Sequence, residues 1–421
     1  MVVRSASSKQ SLRALDWLNV FLADIQGGVG PFLVVYLTSS LEWNPARVGL
    51  VMTIAGLAGV IAQTPVGALI DRVRQKRSLI VIAAVMIAIS SIAIVTFPLF
   101  PIIATAQSLT AIAGAFFGPT IASISLGLVG RQGMERRIGR NHSLNSAGNV
   151  AAALLAGLIG QFISQAGIFY FTILMSGVVI VCALQIRKQD IDYRLARGGD
   201  DSDSPVQKPR EKAHISNVTD LLSDRRLLIF AICAVLFHFA NAAMLPLVGQ
   251  VLAHHKGGSP PLFMSACVVT AQLVMIPIGI IIGRQASRSK RKPIFLLAFL
   301  VLPIRGVLYT LNDNPLFLVS VQLLDGVGAG IFNVMQLVVI ADLTKGTGRF
   351  NLAQGAIGTA VGIGASLSNA LAGFVAKSAG YNASFLTMAA IAGIALVFFW
   401  FFMPETKSTS RSARSKLTYA G

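Results

Sequence analysis

Pro65-Val66-Gly67-Ala68-Leu69-Ile70-Asp71-Arg72-Val73-Arg74-Gln75-Lys76-Arg77 decides how this chain is read, because an apolar segment ends there abruptly in an acid and a knot of bases. The pattern returns 212 positions later as Pro277-Ile278-Gly279-Ile280-Ile281-Ile282-Gly283-Arg284, followed after a short insertion by Lys290-Arg291-Lys292. A proline, a glycine two residues on, three apolar residues and an arginine leading into a basic loop make a strong self-match. A period this long marks two homologous halves and not a solenoid.

Around that repeat the composition is that of a membrane protein. The 421 residues are 54% hydrophobic and 12% charged, where a soluble domain carries roughly 25% charge. At about 20 apolar residues per crossing, the sequence divides into twelve spans: Leu15–Leu37, Ala46–Ile70, Ser78–Phe97, Ile102–Val129, Leu144–Ser164, Phe169–Ile186, Leu227–Ala253, Leu262–Gly283, Pro293–Thr310, Leu316–Ala341, Leu352–Ala376 and Ala383–Met403. This is an all-α integral membrane protein of two six-helix bundles, 15–186 and 227–403. A tail, 1–14, precedes them, a linker, 187–226, joins them, and a second tail, 404–421, follows. The linker contains Gly198-Gly199-Asp200-Asp201-Ser202-Asp203-Ser204-Pro205, too polar to bury a core of its own. Its end, Ile215–Arg226, reads as a short amphipathic surface helix.

The formal charge of +18 would suggest nucleic acid in a soluble chain, but the bases sit in short loops between apolar runs, so no nucleic-acid partner is expected. Of 35 Lys and Arg, 31 fall in the tails, the linker and the loops after even-numbered spans; the other side has only Arg47, Lys256 and Lys377, and Arg305 lies inside a span. The positive-inside rule then places both termini in the cytoplasm. No cleavable signal peptide is read at the N-terminus, since the first apolar run contains Asp16 and Asp24 and no small-residue cleavage site follows it. Cys182, Cys233 and Cys267 all lie in apolar segments, which implies neither disulfides nor a metal cluster.

Gly67-Ala68-Leu69-Ile70-Asp71-Arg72 with Lys76 and Arg77 resembles the signature loop between helices two and three of the major facilitator superfamily, with Arg74 standing where many members have a second glycine. The resemblance implies the twelve-helix fold of that superfamily and a latch between the halves in the outward-open state, formed by Asp71 with Gly67, Arg72 and the region of Arg349. A solvated loop acid is the plainer reading of Asp71. The stretch from Gln107 to Phe117 is similar to the superfamily's fourth-helix motif, but Gln107 replaces its leading arginine, so the proton-coupling role of that base does not carry across. Antiporter members have a Gly-Pro pair in the fifth helix; here Gly148 is followed by Asn149. Pro404-Glu405-Thr406-Lys407 resembles the tail signature of sugar porters, while Arg187-Lys188-Gln189-Asp190 lacks their other hallmark.

Charged and polar residues at membrane depth are the candidate sites. An acid at the bilayer centre costs about 2.5–3.5 kcal/mol on insertion scales, so Asp24, about ten residues into the first span, should face the interior as a candidate proton carrier or as a bundle-holding hydrogen-bond partner. Gln26-Gly27-Gly28-Val29-Gly30-Pro31 follows it and loosens the helix. His238 and Asn241 share a helical face at matching depth in the second half, so a His238–Asp24 relay is conceivable, with plain packing as the other reading. Arg305 on the ninth span and Asp325 on the tenth can meet as a pair, either structural or for an anionic substrate. Gln26, Asn145, Asn149, Asn241 and Gln336 offer hydrogen bonds to a substrate or to neighbouring helices, and Asp325 joins Asp24 and His238 as a candidate for proton coupling. No phosphate-binding Gly-Lys-Ser/Thr loop and no His/Cys ligand spacing is found, so neither ATP nor a metal cofactor is expected, and the chain is not read as an enzyme.

The reading is a monomeric secondary active transporter of the cytoplasmic membrane, carrying a small organic molecule by alternating access, with proton-coupled efflux as its mode. An uptake permease for a metabolite or sugar is the competitor, and a transporter-shaped scaffold or sensor that binds without carrying stands in another class.

Overall fold

The computed structural model describes residues 8–25, 29–73, 75–197, 224–254, 259–286, 289–345 and 350–406. Gln26, Arg74, Arg349 and the proposed helix end at 215–223 lie outside the described residues, as does the side chain of Asp71.

The chain makes twelve crossings. The first is interrupted, Lys9–Ala23 and then Val29–Val35, and the others are Pro45–Arg72, Lys76–Thr96, Phe100–Gly130, Gln132–Phe162, Gln165–Gln185, Arg225–His254, Pro260–Ala286, Arg291–Leu308, Pro315–Leu343, Phe350–Ala379 and Tyr381–Phe402. Ten of these helices are long and apolar enough to cross a membrane by themselves. The remaining two are the broken first crossing and the ninth, an 18-residue helix that carries Arg291, Lys292 and Arg305.

Short polar residues begin the helices where free amides need acceptors. Ser8 accepts from the Ser11 amide, Asn44 from Arg47, Ser164 from Gly167, Asp224 from Arg226 and Leu227, and Asn314 from Leu316.

Three expected boundaries move. The fourth and fifth helices are joined with no loop, and the chain turns at Gly130 (φ 69°, ψ 179°), a region open to glycine and costly for other residues. The bases expected in a loop therefore ride on the first turns of the fifth helix. The first helix starts at Lys9, ahead of the expected Leu15. The segment expected to be linker also starts packed: Ile191, Leu195 and Ala196 are buried, the Asp192 amide donates to the Gly127 carbonyl at 3.0 Å, and the Ser123 hydroxyl donates to the Ala196 carbonyl.

The duplication is visible in side-chain contacts at one end of the molecule, the base-rich end where Arg72 and Arg284 both lie in the last turns of their helices. Arg77, opening the third helix, donates to the Leu184 and Ile186 carbonyls closing the sixth. Lys292, opening the ninth, donates at 2.7 Å to the Trp400 carbonyl near the end of the twelfth.

Each half has its own core, aliphatic around Leu15, Leu18, Ile80, Ala84 and Ile124 in the first and aromatic around Phe230, Phe237, Phe295, Phe299, Phe332 and Phe399 in the second. A small separate cluster of Phe32, Val35, Ala156, Ile168 and Met264 joins the halves. Lipid is as apolar as these side chains, so close contact between helices depends on small residues and hydrogen bonds. At the base-poor end a Cβ on Gly373 would stand 3.2 Å from the Cα of Gly49, and one on Gly160 would stand 2.7 Å from the Cβ of Pro261. Thr53 adds a 2.7 Å hydrogen bond to the Ser366 carbonyl. Between the second and eleventh helices a Cβ on Gly362 would still meet Val60, whereas Gly358, Gly355 and Gly67 have no described atom within 4 Å of a Cβ position. The halves are pressed together at the base-poor end and part toward the base-rich end.

Candidate functional site

A cavity of about 290 Å³ lies on the seam between the halves. Gly30, Pro31 and Met52 wall it from the first half; Asn241, Leu245, Pro246, Arg305 and Asp325 wall it from the second. Every second-half polar residue in that wall belongs to one network. Arg305 Nη1 donates to Asp325 Oδ1, Nη2 donates to Asn241 Oδ1 at 2.7 Å, and Nη2 and Nε lie 3.1 and 3.4 Å from Met244 Sδ. The guanidinium carbon sits 5.9 Å from the Tyr309 ring centroid.

Arg305 is buried to 3% exposure while the Asp325 side chain keeps 20%, so the acid is the more open member of the pair. The ninth helix ends sooner than expected, which puts Arg305 in its last turn, where free carbonyls favour a positive charge. The helix end, the carboxylate and the amide of Asn241 together offset the desolvation of a guanidinium.

Asp24 is 5% exposed, and its Oδ2 has no hydrogen-bond partner among the described residues. It stands in a wide π turn, Asp24–Ile25, where the first crossing breaks. His238 packs edge-on against Phe237 and Phe332, with centroids 5.5 and 4.8 Å apart. No direct hydrogen bond joins Asp24 to His238. Asn145 donates to the Asn19 carbonyl at 3.4 Å and so joins the fifth helix to the first, while Asn149 donates to Asn145 at 3.1 Å within the fifth helix. Gln336 is half-buried, and its side chain makes no hydrogen bond among the described residues. Of the expected latch, Gly67 meets open space and Arg72 is exposed.

A second polar cluster was not anticipated. Asp16 accepts from Arg137 at 2.8 Å and from Arg140 at 2.6 Å, and below it Asn19 donates to Asn141 at 3.3 Å, which donates to Ser125 at 3.0 Å. The i, i+3 spacing of Arg137 and Arg140 is the signal that could have found it, once the segment is read as helix.

Two overlapping matches to the family model of the Major Facilitator Superfamily span residues 17–301 and 230–418. The chain belongs to the major facilitator superfamily. It is 44% identical over 410 residues to an uncharacterized MFS-type transporter of Mycobacterium tuberculosis, found under that description in two strains, with 97% of each chain covered. Among solved structures it is similar to a mutant of the nucleoside transporter NupG, with a TM-score of 0.78, 16% identity, and coverage of 94% of this chain and 100% of that one. It is also similar to a mutant of the peptide transporter POT, with a TM-score of 0.75, 14% identity and 93% of each chain covered. As a member of this superfamily it is a multi-pass membrane protein of a transporter family.

Proposed function

We propose that this superfamily member carries a small organic molecule across the cytoplasmic membrane by alternating access, exporting it in exchange for protons. The observation that carries the reading is the seam cavity. Both halves wall it, glycine-mediated packing seals it at the base-poor end, and the halves part toward the base-rich end. With the base-rich end in the cytoplasm by the positive-inside rule, this is the inward-facing member of a pair of states. Gly67, Asp71, Arg72 and Arg349 would then meet only in the opposite state, which accords with the open space at Gly67. The cavity volume sits at the lower edge of the roughly 300–1,000 Å³ of small-molecule sites, and Asn241, Arg305 and Asp325 give it a polar wall.

Asp24 is the proposed proton carrier, since a buried carboxyl with an unpartnered oxygen at a helix break is costly unless it is used. Each proton moving inward down 100 mV supplies about 2.3 kcal/mol. Uptake of a metabolite or sugar draws on the tail tetrapeptide and on the missing antiporter proline, Gly148 being followed by Asn149. Glu405 accepts the Arg291 and Lys292 amides at 2.8 and 3.2 Å and so caps the ninth helix, a structural job independent of cargo.

Inside-out vesicles with an acidified lumen and a pH-sensitive dye test this reading. Candidate substrates are screened against wild type and Asp24→Asn. Substrate-induced alkalinisation in wild type, lost in the variant, is expected; the same signal in both would remove Asp24 from the mechanism.

A further inference from the structure

A second concavity is remote from the seam. It is a groove of about 970 Å³ on the outer wall, between the ninth and twelfth helices at the base-rich end. Leu297, Leu300, Val397, Trp400 and Phe401 line it and are between 45% and 73% exposed, so in a membrane it faces lipid. From Lys290 to Leu300 the wall runs ten residues, about 15 Å of helix, which is the depth of one leaflet's hydrocarbon.

Charge is confined to the groove's mouth, where Lys290, Lys292 and Glu405 stand. The two carboxylate oxygens of Glu405 accept the Arg291 and Lys292 amides, and the Arg291 guanidinium pairs with Asp342 at 3.1 Å. Lys292 donates to the neutral Trp400 carbonyl, and Lys290 is exposed. Both ammonium groups therefore lack an acidic partner among the described residues. The duplication adds an independent point: the residue matching Lys290 in the first half is Gln75, one before the Lys76-Arg77 pair, so the architecture does not require a base there.

We propose that this groove binds an anionic phospholipid, its phosphate held by Lys290 and Lys292 and one acyl chain lying along Leu297, Leu300 and Val397. Lysines at headgroup depth above an apolar slot are the chemistry that recognises such a lipid, and basic pockets between transmembrane helices hold anionic headgroups in the same way. The site stands independently of what the seam cavity carries.

The test uses the full chain, purified, delipidated and re-exposed separately to dioleoyl phosphatidylglycerol, phosphatidylcholine and phosphatidylethanolamine, with retained lipid read by native mass spectrometry. Wild type should retain phosphatidylglycerol over both other lipids, and each lysine should account for about fivefold of that preference. Lys290→Glu, which disturbs no contact among the described residues, should abolish the preference, and Leu300→Trp, which fills the slot, should lower retention of every lipid. Equal retention of the three lipids by wild type would overturn the assignment. So would a preference that survives in both Lys290→Glu and the Lys290→Gln, Lys292→Gln double variant.

Discussion

Arg305 and Asp325 pose the sharpest energetic question in the molecule. Removing one partner of a buried ion pair costs about 3–5 kcal/mol, because the other charge is stranded, whereas replacing both by apolar groups of similar volume is often neutral. Arg305→Ala should therefore yield little folded protein. Asp325→Asn keeps an acceptor opposite Arg305 and should fold, but should not transport. The double variant Arg305→Met, Asp325→Leu should recover monodisperse protein in detergent and remain inactive in vesicles. A double variant that transports at the wild-type rate would make the pair a structural strut. Both residues stood out in the sequence because each is a lone charge in an apolar run. Asp16, Arg137 and Arg140 did not, because a run of bases between two spans looks like an ordinary loop until Gly130 is seen to take the whole turn.

Helices, as elements, were predicted well by hydropathy and poorly by charge. Apolar length located all twelve crossings, since a backbone in lipid must satisfy its hydrogen bonds within a helix. Polar segments that pack nevertheless were hidden. In residues 187–197 the buried Ile191, Leu195 and Ala196 are interleaved with Asp190, Asp192 and Arg194, a pattern with no period. Asp190 itself closes the first bundle, accepting from Ser11 at 2.6 Å and from Ser8, and those hydroxyls hold its carboxyl below the usual range. On the proposed mechanism the elements that gate the base-poor end are the second and eleventh helices, where Gly49 and Gly373 meet backbone to backbone. Helix backbone cannot yield as a side chain does, so Gly49→Val should cost the closed base-poor end about 1–3 kcal/mol of overpacking. A Met52→Cys probe, with the three native cysteines replaced, should then react about tenfold faster with a membrane-impermeant maleimide applied from the base-poor side. An unchanged rate would mean that this glycine contact does not hold the gate.

At the scale of the whole molecule, the copied six-helix module explains why the polar wall is lopsided. The two halves share helix order and the lysine or arginine that ties the third helix to the sixth and the ninth to the twelfth. They differ in what they give the seam cavity, with Arg305, Asp325 and Asn241 on one wall and Gly30, Pro31 and Met52 on the other. On the proposed mechanism, the half that lines the cavity with charge rocks against the half that lines it with Gly30, Pro31 and Met52, and the same cavity is presented to either side once the base-poor packing opens. The most direct test of that claim is the Met52→Cys probe in an otherwise unaltered seam, with impermeant maleimide applied to right-side-out and to inside-out vesicles. Alternating access predicts labelling from both faces, faster from the base-rich face at rest. Labelling from one face only, in both vesicle orientations and under an imposed proton gradient, would contradict it.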